Sequence, residues 1–127
     1  MKNIYIAGPW VARDHARRIA ALLADEGHAI THPWWDYEAG NEDHERLAEL
    51  ATLDIEAVLR ADVLVVVHPD ILSEGKAWEQ GLAWAAQIPI FVLGQKPLPV
   101  KCIFHELPSY RWFDDLARLR DALRLQT

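Results

Sequence analysis

The run Val63-Leu64-Val65-Val66-Val67 constrains the fold more than any other part of the chain. It has no polar alternation, which predicts a strand covered on both faces. Such strands belong to parallel sheets with helices above and below, and the order of the other segments agrees. Lys2 to Ala7 reads as a strand that Gly8-Pro9 stops. Val11 to Asp25 reads as a helix with Ile19, Leu22 and Leu23 inward and Arg13, Arg17 and Arg18 mostly outward. Gly27 stands in the usual position after its end. His28 to His32 reads as a second short strand, followed by a loop from Pro33 to about Asn41. Glu42 to Arg60 is the longest helix, with Leu47, Leu50, Ala51, Val58 and Ala61 at helical spacing. Gly75 to Ala86 reads as a helix and Pro89 to Leu93 as a fourth strand. After the loop Gln95 to Pro99, an edge strand is expected within Lys101 to Phe113, then a closing helix from Asp114 to Leu125 with an aspartate start. The expectation is an α/β, Rossmann or flavodoxin-like three-layer fold. Its parallel sheet has four to five strands with helices on both faces, in one domain over residues 1–127.

Charge and cysteine content narrow the function. The net charge of −6 argues against a nucleic-acid polymer as partner, because that binding neutralises many phosphates. A small anionic ligand stays possible at a helix end. The single cysteine, Cys102, allows no intrachain disulfide, which suits a reducing cytoplasm. No apolar run is long enough to span a bilayer, and the first residues do not read as a signal peptide. The six histidines are scattered without ligand spacing, so neither a metal nor another cofactor is expected. No Gly-rich dinucleotide loop, Walker-type lysine motif or nucleophile elbow is present.

The candidate chemistry lies at the carboxyl ends of the strands, where open α/β sheets bind ligands. Glu79 sits early in the helix after Val63–Val67, flanked by Trp78 and Leu82. Helix-terminal N–H groups nearby are expected to keep it ionised. Gly75 and Gly81 allow close approach of backbone or ligand. Asp54 lies on the apolar stripe of the longest helix, where a carboxylate must be paired or used. Two carboxyl groups in different environments are the apparatus for breaking a glycosidic bond. A structural aspartate bonded to a backbone N–H is the equal alternative. Ser73 precedes a helix N-terminus and reads either as its cap or as part of a phosphate site. Tyr5, Gly8, Pro9 and Trp10 cluster at the end of the first strand, and Trp10 could stack on a nucleobase. Trp34 and Trp35 read as packing or subunit contacts, with at least one of them shaping the pocket.

Taken in order, these segments resemble the nucleoside 2-deoxyribosyltransferase family and its nucleotide N-hydrolase relatives. The resemblance begins at Ile4-Tyr5-Ile6-Ala7-Gly8-Pro9-Trp10 and continues through Asp54 to Val63. It is strongest from Ser73 to Ala83 and includes Cys102 to Pro108. It implies that Glu79 is a nucleophile that attacks C1′ of a deoxyribosyl group, forming a covalent glycosyl-enzyme. It also implies that Asp54 is the second catalytic carboxylate, that Tyr5 orients Glu79, and that Gly8, Pro9 and Trp10 line the pocket. With Ser73, Gly75 and Trp35 these form the expected substrate-binding set. Asp62 is expected to support the start of a strand instead. Family members acting on nucleosides usually carry aspartate where Ser73 stands, whereas the nucleotide hydrolases carry a serine that binds the 5′-phosphate. Ser73 therefore tilts the substrate toward a nucleoside 5′-monophosphate. Gln80 replaces a common leucine and is expected to face away from the pocket.

The resulting expectation is cleavage of the N-glycosidic bond of 2′-deoxynucleosides or their 5′-monophosphates, with transfer to another base or to water. The partner is a small nucleoside or nucleotide, and by family analogy the chain forms a homodimer or higher homo-oligomer through Trp34, Trp35 or the Phe104 region. Two alternatives stand beside it. One is a non-catalytic nucleotide-binding module on the same scaffold. The other is a glycohydrolase acting on NAD through the same glutamate logic.

Overall fold

A computed structural model describes residues 1–38 and 43–125. Five strands form one parallel sheet: β1 (Asn3–Ala7), β2 (Ala29–Ile30), β3 (Val63–Val67), β4 (Ile90–Leu93) and β5 (Tyr110–Phe113). Their order is β2-β1-β3-β4-β5. Four helices connect and close them: α1 (Arg13–Asp25), α2 (His44–Arg60), α3 (Glu74–Ala85) and α4 (Leu116–Leu125). Chain order runs outward from β1 to β2 and then returns to β3. Right-handed crossovers therefore place α1 and α2 on opposite faces. The helices α2 and α3 pack together on one face. On the other face, Arg120 of α4 pairs with Glu26 at the end of α1.

The central strand behaves as its sequence demands: every residue of β3 is buried. Ile4 and Ile6 of β1 are buried with it, as are Ile90, Phe91 and Val92 of β4. The expected second strand is shorter than His28–His32, because β2 is an edge strand whose ladder ends at Ile30, though the Thr31 N–H still donates to the Ile4 carbonyl at 2.9 Å. On α1 the buried residues are Ala16, Ile19, Ala20 and Leu23. Leu22, expected inward, is 42% exposed, because it lies about a quarter-turn off that i, i+3, i+4, i+7 row. On α2 the expected stripe is buried at Val58 and at Ala61 just beyond its end, but exposed at Leu47 and Ala51. Periodicity names the apolar face of a helix and not whether a partner covers all of it.

Caps explain most of the boundaries. Asp43 accepts from the Arg46 N–H at 3.1 Å and starts α2. Asp115 accepts from the Arg118 N–H at 2.9 Å and starts α4. The expected loop end at Asn41 and helix start at Glu42 lie outside the described residues. Asp62 accepts from the Asn3 N–H at 2.7 Å, tying the beginnings of β1 and β3 together. Among the described residues, no helix is long and apolar enough to cross a membrane.

The paired strands β1 and β3 lie tightly together at their carboxyl ends. A Cβ on Gly8 would lie 2.6 Å from Val67 Cγ2, and the Val67 side chain is fully buried and branched, so it cannot swing aside. Gly8→Ala is expected to cost about 1–3 kcal/mol of stability. Urea unfolding measures this, and an unchanged midpoint would mean that Val67 yields.

Candidate active site

Three elements converge on one face of the sheet. The middle of β1 supplies Tyr5, a wholly buried side chain whose hydroxyl donates to Glu79 Oε2 on α3. The neighbouring helix α2 supplies Asp54. The segment after β2 supplies Tyr37, whose hydroxyl donates to Asp54 Oδ1 at 2.8 Å and lies 2.6 Å from His32 Nε2. Alternation along β1 sends Ile4 and Ile6 to the opposite face and turns Tyr5 toward α3.

Burial dominates the electrostatics here. It pushes Glu79 up to about 8, helped by the charge of Asp54 and opposed by the Tyr5 hydrogen bond. Burial thus works against the ionised state expected of Glu79. Glu79 is the sixth residue of α3, beyond the first turn where the dipole acts, and desolvation outweighs what remains. Asp54 is also raised by burial, against the Tyr37 hydrogen bond and the nearby His32. Burial, Glu79 and Asp54 together hold the Tyr5 hydroxyl far above the ordinary tyrosine range. The two carboxyl groups feel each other, so they titrate as a pair that retains a proton at neutral pH.

The other expected residues fall at defined places. Ser73 caps α3, its Oγ accepting from the Lys76 N–H at 3.2 Å. Its own hydroxyl proton remains available to an acceptor. Gly75 lies in the first turn, and a Cβ on it or on Gly81 would meet nothing within 4 Å. The expected close approach of protein backbone at these two glycines is absent. Trp78, expected beside Glu79, is 62% exposed and points elsewhere. Pro9 is buried after β1, and Trp10 is 38% exposed with the Arg13 guanidinium 4.7 Å from its ring centre. Trp10 approaches Trp34 at 6.4 Å between ring centres, and Trp34 meets Trp35 edge-on at 5.5 Å. Trp34 Nε1 donates to the Ile6 carbonyl at 2.6 Å. Both Trp34 and Trp35 are only 6% exposed, so they offer almost no surface to a second copy of the chain. Gln80 does turn away from Glu79: its amide accepts from the Tyr110 hydroxyl at 2.8 Å.

Three participants escaped the sequence reading. Tyr37 and His32 complete a row to Asp54, and the available signal was two polar side chains at the carboxyl end of an edge strand. Lys76 is the third. It is buried, and its Nζ donates to the carbonyls of His68 at 2.5 Å and Ile71 at 2.6 Å. It thereby fixes the loop between β3 and α3. That loop begins at His68 in the left-handed region (φ 55°), an unfavourable place for histidine that these bonds and a 2.7 Å contact to His15 Nδ1 stabilise. A cavity of about 500 Å³ opens on the flank of α3 toward β5, lined by Ser73, Lys76, Gln80, Trp84, Phe104 and Tyr110 among others.

Fold and site thus define a small parallel α/β protein that brings two interacting carboxyl groups and a buried tyrosine together on one face of its sheet. The chain belongs to the nucleoside 2-deoxyribosyltransferase family, whose sequence model matches residues 4–109. No curated protein sequence matches it. Among solved structures, it is similar to a 2-deoxyribosyltransferase from Bacillus psychrosaccharolyticus, with a TM-score of 0.69 and 21% identity over 94% of this chain and 90% of that one. It is also similar to the CMP N-glycosidase BcmB of Clostridium botulinum, with a TM-score of 0.60 and 17% identity over 98% and 99% of the two chains. At these identities the likeness establishes the fold.

The raised Glu79 has a consequence for stability. Between the ordinary glutamate value and about 8, the folded chain holds a proton that the unfolded chain has released. Stability contributed by this group therefore falls as pH rises through that interval. Glu79→Gln mimics the protonated form. It is expected to match the parent near pH 5 and to melt several degrees higher at pH 8.5, as read by thermal denaturation at both values.

Proposed function

We propose that the chain cleaves the N-glycosidic bond of 2′-deoxynucleoside 5′-monophosphates, with Glu79 as nucleophile and Asp54 as the group that handles the proton. The observation that carries this reading is the convergence of Tyr5, Glu79 and Asp54 as one partly buried cluster, on a scaffold whose family acts at such bonds. As the bond to the base weakens, positive charge grows on the sugar. A Glu79 carboxylate oxygen bonds to C1′ while the C1′–N electron pair leaves with the base. The proton retained by the carboxyl pair supplies the leaving nitrogen through Asp54. Water then attacks C1′, the bond to Glu79 breaks with its electrons returning to the carboxylate, and the water proton passes to Asp54. A second base in place of water makes the same chemistry a transfer.

The Ser73 hydroxyl and the free N–H groups at the start of α3 favour a phosphate on the substrate. The CMP N-glycosidase among the structural neighbours is named for a nucleoside monophosphate, which fits that choice. We also propose that copies of the chain assemble. Ile103 and Phe104 are 78% and 61% exposed and provide apolar surface for such contacts, whereas Trp34 and Trp35 do not.

Chromatography of deoxynucleosides and their monophosphates, incubated with and without a second free base, tests the activity. Glu79→Ala and Asp54→Asn are each expected to lower base release by at least about 10²-fold. Retention of full activity in Glu79→Ala defeats the reading. Base release is expected to decline above about pH 8, where the pair surrenders its proton.

Ser73→Asp separates the two roles of that position. Aspartate caps a helix as well as serine does, yet its charge repels a phosphate. The variant should stay folded, bind monophosphates at least about tenfold more weakly and leave nucleosides unaffected. Equal losses on both substrates would remove the phosphate assignment.

A further inference from the structure

The row His32–Tyr37–Asp54 has a property that the mechanism above does not use. Tyr37 has a single hydroxyl proton. With Asp54 ionised, that proton goes to Asp54 Oδ1 at 2.8 Å, and the Tyr37 oxygen accepts from His32 Nε2–H at 2.6 Å. With Asp54 protonated, every donor reverses. The carboxyl donates to the Tyr37 oxygen, and Tyr37 donates to an unprotonated His32 Nε2. Both arrangements leave each group satisfied, and one proton hop at each bond converts one into the other.

We propose that His32 and Tyr37 are positioning residues that load and unload the proton on Asp54. This rests on the glycosidase reading given above. When Asp54 gives its proton to the leaving base, His32 takes up a proton from solvent and passes its Nε2 proton to the Tyr37 oxygen, and the Tyr37 hydroxyl proton passes to Asp54. When water later attacks C1′, its proton returns through Asp54 and Tyr37 to His32 and then to solvent. No group gains or loses a net proton over the cycle. His32 is partly exposed, so it can exchange with water, while burial raises Asp54. Tyr37 serves as conduit rather than store, since burial and Asp54 hold its hydroxyl above the ordinary tyrosine value. Imidazole is the side chain suited to such a store near neutrality.

Other titratable or charged groups surround the row. Tyr5 on β1 and Glu79 on α3 lie within electrostatic reach of it, and Arg46 on α2 acts on Tyr37. Arg60 lies close by, donating to the Thr31 carbonyl at 3.0 Å beside His32. Tyr5 already donates to Glu79, so among the described residues the hydrogen bonds reaching Asp54 come through Tyr37.

Tyr37→Phe keeps the ring and breaks the row. Its kcat on an ordinary deoxynucleoside monophosphate is expected to fall about 10²-fold with KM little changed. The loss should be far smaller on an analogue with a nitro-substituted base, which departs without needing a proton. His32→Gln keeps a hydrogen-bonding side chain but cannot store a proton, so its kcat should fall and one limb of the pH profile should disappear. Equal losses on both substrates, or unchanged profiles in both variants, overturn the relay. Glu79→Ala is assayed alongside. If it retains base release, the glycosidase reading fails independently. The relay is then decided by nitrogen-15 imidazole shifts against pH. The His32 midpoint should move in Tyr37→Phe and in Asp54→Asn, and an unmoved midpoint in the two variants overturns it.

Discussion

The hydrogen bond from Tyr5 to Glu79 is the contact on which the rest of the site depends. It joins the buried core of the sheet to the helix that lies over it, so the position of α3 is not free to drift. Because β1 sits between β2 and β3, the same strand also marks where the chain reverses direction across the sheet. The helices α2 and α3 therefore lie side by side above Tyr5, and a carboxyl group from each is brought within electrostatic reach of the other. Removing the tyrosine hydroxyl would leave a partly buried acid without its donor, a more costly state than having neither group.

Such a site is assembled against the interest of folding. Two acids that repel one another and are both desolvated weaken the folded state as soon as they ionise. The surrounding structure offsets this with an unbroken apolar strand beneath, caps at Asp43, Ser73 and Asp115, and a buried ammonium that secures the adjoining loop. Strain at functional positions with compensation elsewhere is the common pattern in enzymes.

Much of the architecture was legible in the sequence, because β3 carries no polar residue and each helix advertises an apolar face. Glu79, Asp54 and Tyr5 were legible as candidates from motif order, and they do come together. What could not be read was anything set by distance between segments remote in sequence. The protonation of Glu79 depends on how deeply α3 presses it against β1, which helical spacing does not encode. Trp34 and Trp35 read as packing or as contacts between copies, and only the fold shows that they are packed inward. Tyr37 sits in a stretch with no periodic signal, and only the approach of α2 gives its hydroxyl a partner. Leu22 and Leu47 failed for a plainer reason: an amphipathic pattern indicates direction and says nothing about the extent of the surface that receives it.

The buried lysine of α3 grips main-chain oxygens, at His68 and Ile71, rather than side chains. A clamp of that kind is blind to which amino acids occupy the intervening positions. Leu72, wholly exposed within the clamped stretch, illustrates the latitude. Side chains along this loop can thus be exchanged while its path over the sheet is preserved.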